Sequence, residues 1–307
     1  MEPRKITGDA AGIQEFMDSF DTILFDCDGV LWNGDKLYDN TIETLNMLRE
    51  KGKKLVFVTN NSTKSRADYK KKLDGLGIPA SIEDIFPSSY SSAIYISRIL
   101  KLPPNKRKVF VIGKNGVEQE LESEGIPYIG GTDQKYNRKL STADCEKIAA
   151  GDPEILDPEV GAVLVGLDPE VNYFKHALAY HYIKQNNAVF LATNLDSTFP
   201  SCGTFFPGAG TCSAPLIMML KGQYPTSLGK PSQAMMDAIE GKFKLDRART
   251  CMVGDRMDTD IKFGIEGGLG GTLAVLSGVS DEDEVLHGST KPKYYVNTLS
   301  DLLYKEE

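Results

Sequence analysis

The sequence has few of the residues and segments on which several protein classes depend. It contains only three histidines and no HExxH motif, which argues against a zinc enzyme. Its five cysteines form no CxxC pair, so we expect a reduced intracellular protein with mostly buried, inert thiols. Apolar runs such as APLIMML at 214–220 are too short to span a membrane, and neither end carries a signal or lipidation motif. These absences predict a cytoplasmic or nuclear protein with no membrane partner.

Positive charge is also in the minority. The chain has 35 Lys and Arg against 43 Asp and Glu, a formal net charge of −8. This balance argues against a nucleic-acid partner, because nothing overall would neutralise phosphates. It is compatible with a small anionic substrate, because local positive charge can dominate inside a pocket. No GxGxxG fingerprint or P-loop motif occurs, which argues against dinucleotide and P-loop nucleotide binding.

The 307 residues favour two domains, and short apolar strands alternate with helices along them. Continuous apolar strands separated by helices are typical of a parallel sheet covered on both faces. Asn40, Ser65 and Ser232 are the predicted N-caps of three of the helices. The polar stretch 130–158 is only weakly periodic, and no element is predicted there. Strands are predicted at 22–26, 55–59, 108–113, 162–167, 188–193, 251–255, 272–277 and 294–296, and helices at 41–51, 65–77, 173–184, 232–243 and 259–267.

The segment FDCDGVLW at 25–32 carries the first chemical pattern. An apolar strand ends in Asp26, and Asp28 follows two residues later, so both carboxylates can face one point. The carboxyl edge of a parallel sheet is where ligands bind in such folds. Two close carboxylates repel each other, and a cation between them would relieve the repulsion. The alternative is an ordinary Asp–Gly turn between two strands.

The segment VTNNSTKS at 58–65 carries the second pattern. A buried strand ends in Thr59, and Asn60 and Asn61 follow before a helix begins. Hydroxyl, amide and free backbone N–H groups at such a turn suit phosphate oxygens. Taken alone, the segment is equally compatible with a polar turn followed by an N-cap.

Two further patterns lie near the end of the chain. Lys230, in LGKPS, could supply a fixed positive charge, although alone it fits a surface turn equally well. In MVGDRMDTD, Asp255 directly follows a buried strand, whereas Asp258 suits a helix cap. Together with the first two patterns, these residues form the set of groups that recurs in phosphoryl transfer: carboxylates, a hydroxyl and a lysine. A metal held by carboxylates alone favours a hard cation such as Mg²⁺.

In these four motifs the sequence resembles the haloacid dehalogenase-like phosphatases. That family's four motifs match FDCDG, VTNNS, the lysine of GKPS and GDRMDTD in the same order. The segments TNNSTKSR, VGLDPEVNY, FLATNLDSTFP and PGAGT resemble the 4-nitrophenylphosphatase and phosphoglycolate phosphatase branch. The resemblance extends over about 20–303. It implies an α/β fold with a Rossmann-like parallel-sheet core at 1–90 and 224–307, an inserted α/β cap domain at 91–223, and a homodimer formed through the cap.

The resemblance also implies roles for individual residues. Asp26 would attack phosphorus and form an aspartyl-phosphate, and Asp28 would protonate the leaving oxygen and then activate water. The Mg²⁺ would be held by Asp26, the backbone carbonyl of Asp28, and Asp255. Lys230 would balance charge on the nucleophile and phosphate, with Asp260 acting through a metal-bound water or through that lysine. The phosphoryl oxygens would be held by Thr59, Asn60 and the Asn61 backbone.

The cap loop at 194–211 is expected to select the substrate. No Lys or Arg occurs from 186 to 220, so Asn194, the Phe199 ring, hydroxyls and backbone N–H groups would contact the leaving group. Such a loop fits small phosphorylated metabolites, such as 4-nitrophenyl phosphate and 2-phosphoglycolate. For Phe199 the alternative is a dimer or packing contact. The alternative functions are a phosphatase of pyridoxal phosphate or of phosphoproteins, and a non-enzymatic phosphate-sensing regulator.

Overall fold

The chain alternates strands and helices in a computed structural model, and the structure describes residues 2–201 and 204–303. The strands are β1 (Arg4–Lys5), β2 (Thr22–Phe25), β3 (Trp32–Asn33), β4 (Lys36–Leu37), β5 (Lys54–Thr59), β6 (Ile85–Pro87), β7 (Lys108–Ile112), β8 (Tyr128–Gly130), β9 (Val160–Val165), β10 (Val189–Ala192), β11 (Thr198–Ser201), β12 (Thr204–Pro207), β13 (Thr226–Ser227), β14 (Thr250–Gly254), β15 (Gly271–Val275) and β16 (Tyr294–Val296). The helices are α1 (Ala10–Ser19), α2 (Thr41–Glu50), α3 (Arg66–Gly75), α4 (Ser88–Ile94), α5 (Asn115–Ser123), α6 (Thr142–Ala150), α7 (Tyr173–Gln185), α8 (Ala209–Met219), α9 (Gln233–Phe243), α10 (Lys262–Glu266) and α11 (Glu282–His287).

One compact unit comprises Met1–Thr59, Tyr69–Phe86 and Lys230–Glu307. Its main sheet has seven strands in the order β1-β16-β15-β14-β2-β5-β6. The neighbouring strands β14, β2 and β5 are parallel and lie in register. Strands such as β5, KLVFVT, are buried over five consecutive residues, as expected for a sheet covered on both faces. The predicted α/β class with a parallel-sheet core is confirmed.

The second unit comprises Asn60–Asp68 and Pro87–Gly229. Its sheet has five parallel strands in the order β13-β10-β9-β7-β8, and β11 and β12 form a separate antiparallel hairpin. The core of this unit contains Phe110, Tyr182 and Leu216. The chain therefore passes from one unit to the other four times. The predicted domain boundaries after 90 and after 223 stay predictions.

The helix starts test the predicted N-caps. Ser65 Oγ accepts from the Asp68 N–H, and Ser232 Oγ accepts from the Met235 N–H, so these two caps are confirmed. Asn40 occupies the predicted N-cap position directly before Thr41, but its side chain does not cap the helix. An N-cap residue normally has extended backbone, whereas Asn40 is left-handed with φ 56° and makes no side-chain cap bond. Asparagine tolerates this conformation better than most residues.

The polar stretch 130–158 contains a helix that the hydrophobic pattern does not predict. At the start of α6, Ser141 and Asp144 form a capping box in which each side chain accepts from the other residue's N–H. The helix ends at Gly151, which is left-handed with φ 68°. Local capping thus defines both ends of a helix whose apolar periodicity is weak.

The cysteines agree with the prediction from the sequence in most positions. Cys27, Cys212 and Cys251 are buried as predicted, whereas Cys145 is exposed, and Cys202 lies outside the described residues. Burial raises the pKa of the Cys27 thiol well above its usual range, consistent with an inert thiol. Among the described residues, no helix is long and apolar enough to cross a membrane.

Candidate active site

The ends of three neighbouring strands bring polar side chains to one edge of the first unit's sheet. Asp26 directly follows β2, Thr59 is the last residue of β5, and Asp255 directly follows β14. Because these strands are adjacent and parallel, their carboxyl ends lie at the same edge. This is the edge where ligands bind in open parallel sheets. All three side chains are buried.

Lys230 joins this group as a buried cation with 2% of its surface exposed. Its Nζ donates to Asp26 Oδ1 at 2.5 Å and to the Val58 carbonyl at 2.9 Å. The same Nζ lies 2.7 Å from Asp260 Oδ1. The lysine predicted from the GKPS motif therefore bridges two carboxylates, and its position is fixed by three oxygen atoms.

Asp26, Asp255 and Asp260 form a cluster in which one carboxylate oxygen from each lies within 4.8 Å of the others. Asp260 reaches back into the loop after β14, where its Oδ2 accepts the backbone N–H groups of Asp255 and Arg256, each at 3.2 Å. Asp258, by contrast, is exposed and pairs with Arg256 at 3.3 Å. Of the acidic residues in this motif, only Asp255 and Asp260 therefore belong to the cluster.

Two glycines leave room for the Asp255 side chain. A Cβ on Gly29 would lie 2.3 Å from Asp255 Oδ2, and a Cβ on Gly278 would lie 1.9 Å from the same atom. Gly29 also has φ +88°, a conformation that other residues rarely adopt. Asp255 Oδ2 accepts the Val279 N–H at 2.8 Å. The carboxylate therefore occupies a close-fitting recess built from backbone.

Burial and charge shift the ionisation of these groups. Burial, reinforced by the charge of Asp260, raises the pKa of Asp255 to about 7. Burial also raises the pKa of Asp26 well above its usual range, and the positive charge of Lys230 opposes that shift. For Lys230, burial lowers the pKa, but the charges of Asp26 and Asp260 outweigh it, so that its pKa is raised. The lysine therefore stays charged beside a carboxylate-rich site.

This donor set fits a divalent hard cation. Three carboxylates converge and one lysine contacts two of them, which leaves an excess of negative charge that a bound cation would offset. The converging atoms are all oxygens, the ligands that Mg²⁺ prefers. No histidine or cysteine belongs to the cluster, so its chemistry does not suit zinc.

Asp28 accepts a hydrogen bond from a tryptophan four residues further along the chain. Trp32 is fully buried, and its ring Nε1 donates to Asp28 Oδ1 at 2.8 Å. The Gly29 N–H donates to the Trp32 carbonyl at 2.8 Å, which closes the loop. Nothing in the sequence beyond the four-residue separation indicates this contact. Trp32 thus orients the carboxyl that is predicted to act as acid and base.

The remaining predicted residues belong to the second unit. Asn60 follows Thr59 directly in the chain and is buried, whereas Asn61 is exposed and its Oδ1 accepts from the Thr63 N–H and hydroxyl. Asn194 is buried with 4% exposure. Phe199 lies on β11 opposite Phe206 of β12, with ring centroids 6.0 Å apart, and 36% of it is exposed. The predicted loop at 194–211 therefore contains a hairpin.

Two family models match the chain. One, described as haloacid dehalogenase-like hydrolase, matches residues 23–127. The other, described as HAD-hydrolase-like, matches residues 227–302. The two matched segments contain the carboxylate cluster, Thr59, Asn60 and Lys230.

Named relatives cover almost the whole chain. A 4-nitrophenylphosphatase of Schizosaccharomyces pombe is 49% identical over 94% of this chain and 95% of its own length. The chloroplastic phosphoglycolate phosphatase 1A of Arabidopsis thaliana is 42% identical over 94% of this chain and 78% of its own length. The crystal structure of a glycerol phosphate phosphatase from Mycobacterium tuberculosis in complex with magnesium is 26% identical, with a TM-score of 0.76, over 94% of this chain and 77% of that one.

Proposed function

The chain belongs to the haloacid dehalogenase-like hydrolase family as an enzyme of its phosphatase type, and we propose that it is a Mg²⁺-dependent phosphomonoesterase for small phosphorylated metabolites. The observation that carries the proposal is the contact between Asp26 and Lys230 inside the carboxylate cluster. A buried carboxylate at a sheet edge, held by a lysine, is a suitable nucleophile for phosphorus.

The proposed reaction has two steps. An Asp26 oxygen forms a bond to phosphorus while the bond from phosphorus to the leaving oxygen breaks, and Asp28 gives its proton to that oxygen. Asp28 then takes a proton from water, which attacks the aspartyl-phosphate and releases phosphate and free Asp26. The bond from Trp32 supports this assignment because it limits where the Asp28 carboxyl can point.

The proposed metal site uses the carboxylates already described. Asp26 and Asp255 would hold Mg²⁺ together with the backbone carbonyl of Asp28, and Asp260 would act through Lys230. When bound, Mg²⁺ would offset the negative charge of the phosphoryl group and of the nucleophile. The recess around Asp255 supports a ligand role, because the Val279 N–H and the nearby Gly29 and Gly278 fix the carboxylate in place.

The phosphoryl oxygens are proposed to contact Thr59, Asn60 and the Asn61 backbone. Thr59 ends a buried strand at the edge that carries Asp26, which supports this role. Lys230 adds a charge that is fixed before substrate arrives, so little reorganisation is needed during the reaction.

The proposed substrates are small monoesters such as 4-nitrophenyl phosphate, 2-phosphoglycolate or glycerol phosphate. The names of the relatives favour this class. The absence of Lys and Arg from 186 to 220 argues against highly charged leaving groups. Contacts from Phe199 and Asn194 to the leaving group stay predictions. Pyridoxal phosphate, phosphoproteins and a purely regulatory role are the alternatives.

A homodimer formed through the cap is part of the proposal. The second unit exposes several large apolar side chains, among them Phe205 at 57%, Tyr224 at 69% and Met218 at 83%. Such side chains mark an interaction surface where they form one contiguous apolar patch. Light scattering after gel filtration would measure the mass in solution, and a monomer at all concentrations would contradict the dimer. The cytoplasmic or nuclear location stays a prediction.

Hydrolysis of a panel of phosphorylated metabolites tests the proposed function. We expect the highest kcat/KM on small monoesters, loss of activity with a chelator, and recovery with Mg²⁺. Calcium should inhibit, because it prefers more and longer oxygen contacts than Mg²⁺. A higher kcat/KM on a phosphoprotein, or full activity without metal, would contradict the proposal.

A further inference from the structure

Asn60 forms hydrogen bonds with three residues of its own unit. Its backbone carbonyl accepts from Ser88 Oγ at 2.6 Å and from Asn194 Nδ2 at 2.6 Å. Its side-chain Nδ2 donates to the two carboxylate oxygens of Asp196 at 3.1 and 3.2 Å. Both the backbone and the side chain of Asn60 are therefore fixed, and two of the three partners lie in the loop after β10.

The amide of Asn194 is almost fully occupied by neighbouring groups. Its Nδ2 donates to the Asn60 carbonyl and, at 3.4 Å, to Thr193 Oγ1, while its Oδ1 accepts the Asp196 N–H at 3.1 Å. A side-chain amide has two donor hydrogens and one oxygen acceptor. Both donors are engaged, and only 4% of the residue is exposed. The amide thus retains little capacity to bind a leaving group.

Gly229 packs against the same group of residues. A Cβ at this position would lie 2.5 Å from the Thr193 carbonyl, 2.7 Å from Asn60 Oδ1 and 2.9 Å from Asn194 Cβ. These distances are too short for any side chain, so the packing requires glycine. The Asn194 loop therefore contacts Asn60 and Gly229 together.

Asn60 and Gly229 each have an important covalent neighbour. Asn60 is bonded directly to Thr59, and Gly229 is bonded directly to Lys230. A shift of either backbone would therefore displace one of the two groups proposed to face the phosphoryl group. Displacements of about 1 Å can lower a rate about a hundredfold.

We propose that Asn194 and Asp196 are positioning residues that fix Asn60 and Gly229, and through them Thr59 and Lys230, for phosphoryl binding. This inference rests on the proposed function and gives Asn194 a role other than contact with the leaving group. We refer to Asn194, Asp196, Asn60 and Gly229 as the linker clamp.

The test compares Asn194→Ala with Asn186→Ala. The control removes the same kind of bond, because Asn186 Nδ2 donates to the Asp157 carbonyl at 2.9 Å outside the linker clamp. For Asn194→Ala we expect kcat to fall about tenfold or more, and by the same factor, for 4-nitrophenyl phosphate and 2-phosphoglycolate. Inorganic phosphate, titrated calorimetrically with Mg²⁺ present, should bind more weakly. The control should change neither quantity.

Asp196 provides a conservative series. Asp196→Asn keeps one acceptor oxygen for the Asn60 amide, whereas Asp196→Ala keeps none, so the first should retain more activity and more phosphate affinity. This series also covers the case in which Asn194→Ala does not fold. Because both changes act on Asn60, the effects of Asn194→Ala and Asp196→Ala should be less than additive when combined.

Three results would overturn the inference. A change in the ratio of kcat/KM between the two substrates would assign Asn194 to leaving-group contact. A lower Tm with unchanged kcat and phosphate affinity would make the contacts merely structural. Equal effects in Asn194→Ala and Asn186→Ala would remove any special role of the linker clamp. A wild-type enzyme inactive on both monoesters would refute the proposed function instead, and phosphate affinity would still decide about the linker clamp.

Discussion

Trp32 fixes the direction of the Asp28 carboxyl through its ring nitrogen at 2.8 Å. Trp32→Phe keeps an aromatic ring in this buried position but removes the N–H donor. Without that donor the Asp28 carboxyl can turn away from the leaving oxygen, and a misplacement of about 1 Å can lower a rate about a hundredfold, so kcat on 2-phosphoglycolate should fall about tenfold or more. The loss should be smaller on 4-nitrophenyl phosphate, whose leaving group needs less protonation. Equal losses on both substrates would argue against an acid role for Asp28.

Gly278 tests the recess around Asp255 without the complication of a left-handed backbone. In Gly278→Ala the new Cβ would lie 1.9 Å from Asp255 Oδ2, so the carboxylate must move. We expect the Mg²⁺ concentration for half-maximal activity to rise about tenfold or more, because displaced ligands weaken binding. Gly241→Ala is the control, since no atom lies within 4 Å of a Cβ there. An unchanged Mg²⁺ requirement in Gly278→Ala would count against Asp255 as a ligand.

The residues that sequence reasoning brings to the sheet edge share one property. Asp26 and Asp255 directly follow apolar strands, and Thr59 ends one, so their common location follows from strand order. The hydrogen bonds that Asp28 accepts from Trp32, and that Asp260 accepts from the loop after β14, could not be predicted in this way. They depend on loop conformations that no periodic pattern encodes.

At the scale of secondary structure, the hairpin of β11 and β12 presents Phe199 on one face. Phe199→Ala should change the ratio of kcat/KM between 4-nitrophenyl phosphate and 2-phosphoglycolate, with little effect on the Mg²⁺ requirement. Phe205 is the matched control, because it lies opposite Pro200 in the register and alternate residues of a strand face opposite sides. If Phe199→Ala and Phe205→Ala alter both substrates equally, Phe199 has no part in selecting the substrate.

The capping box of α6 tests stability separately from catalysis. Ser141→Ala removes the hydroxyl that accepts the Asp144 N–H, and losing such a cap costs about 1 kcal/mol. The free energy of unfolding, measured with urea, should fall by about this amount, while kcat stays unchanged. A loss of kcat at full folding would link the polar stretch 130–158 to the active site.

Strands and helices differ in how well the sequence predicts them. Buried strands such as β5 and β14 are continuous apolar runs, and they are predicted within two residues of their observed bounds. By contrast, the apolar residues of α6 recur with only weak helical periodicity. The hairpin lies in a segment rich in turn-forming residues. At Asn40 the residue type indicates a cap, but the backbone takes the left-handed conformation that asparagine also tolerates.

At the scale of the whole molecule, the segment Asn60–Asp68 belongs to the second unit, although its neighbours on both sides belong to the first. Arg66 explains part of this grouping, since its backbone N–H and its Nε both donate to Glu120, and its guanidinium stacks on Tyr90 at 3.4 Å. Such pairs join residues far apart in sequence. A single sequence predicts two domains, but it does not reveal that this short segment is grouped with the second unit.

The central claim is that Asp26 carries the phosphoryl group during turnover, and Asp28→Asn is the variant in which that intermediate should persist. Without a base at position 28, attack by water slows, while a good leaving group still departs. The most direct measurement is rapid mixing of this variant with 4-nitrophenyl phosphate and Mg²⁺, followed by acid quench and peptide mass analysis. We predict a burst of 4-nitrophenol stoichiometric with enzyme, and a phosphoryl group on the peptide that contains Asp26. The account would be contradicted by a wild-type enzyme that turns over, if both it and Asp28→Asn showed no burst of 4-nitrophenol and no phosphoryl group on the Asp26 peptide.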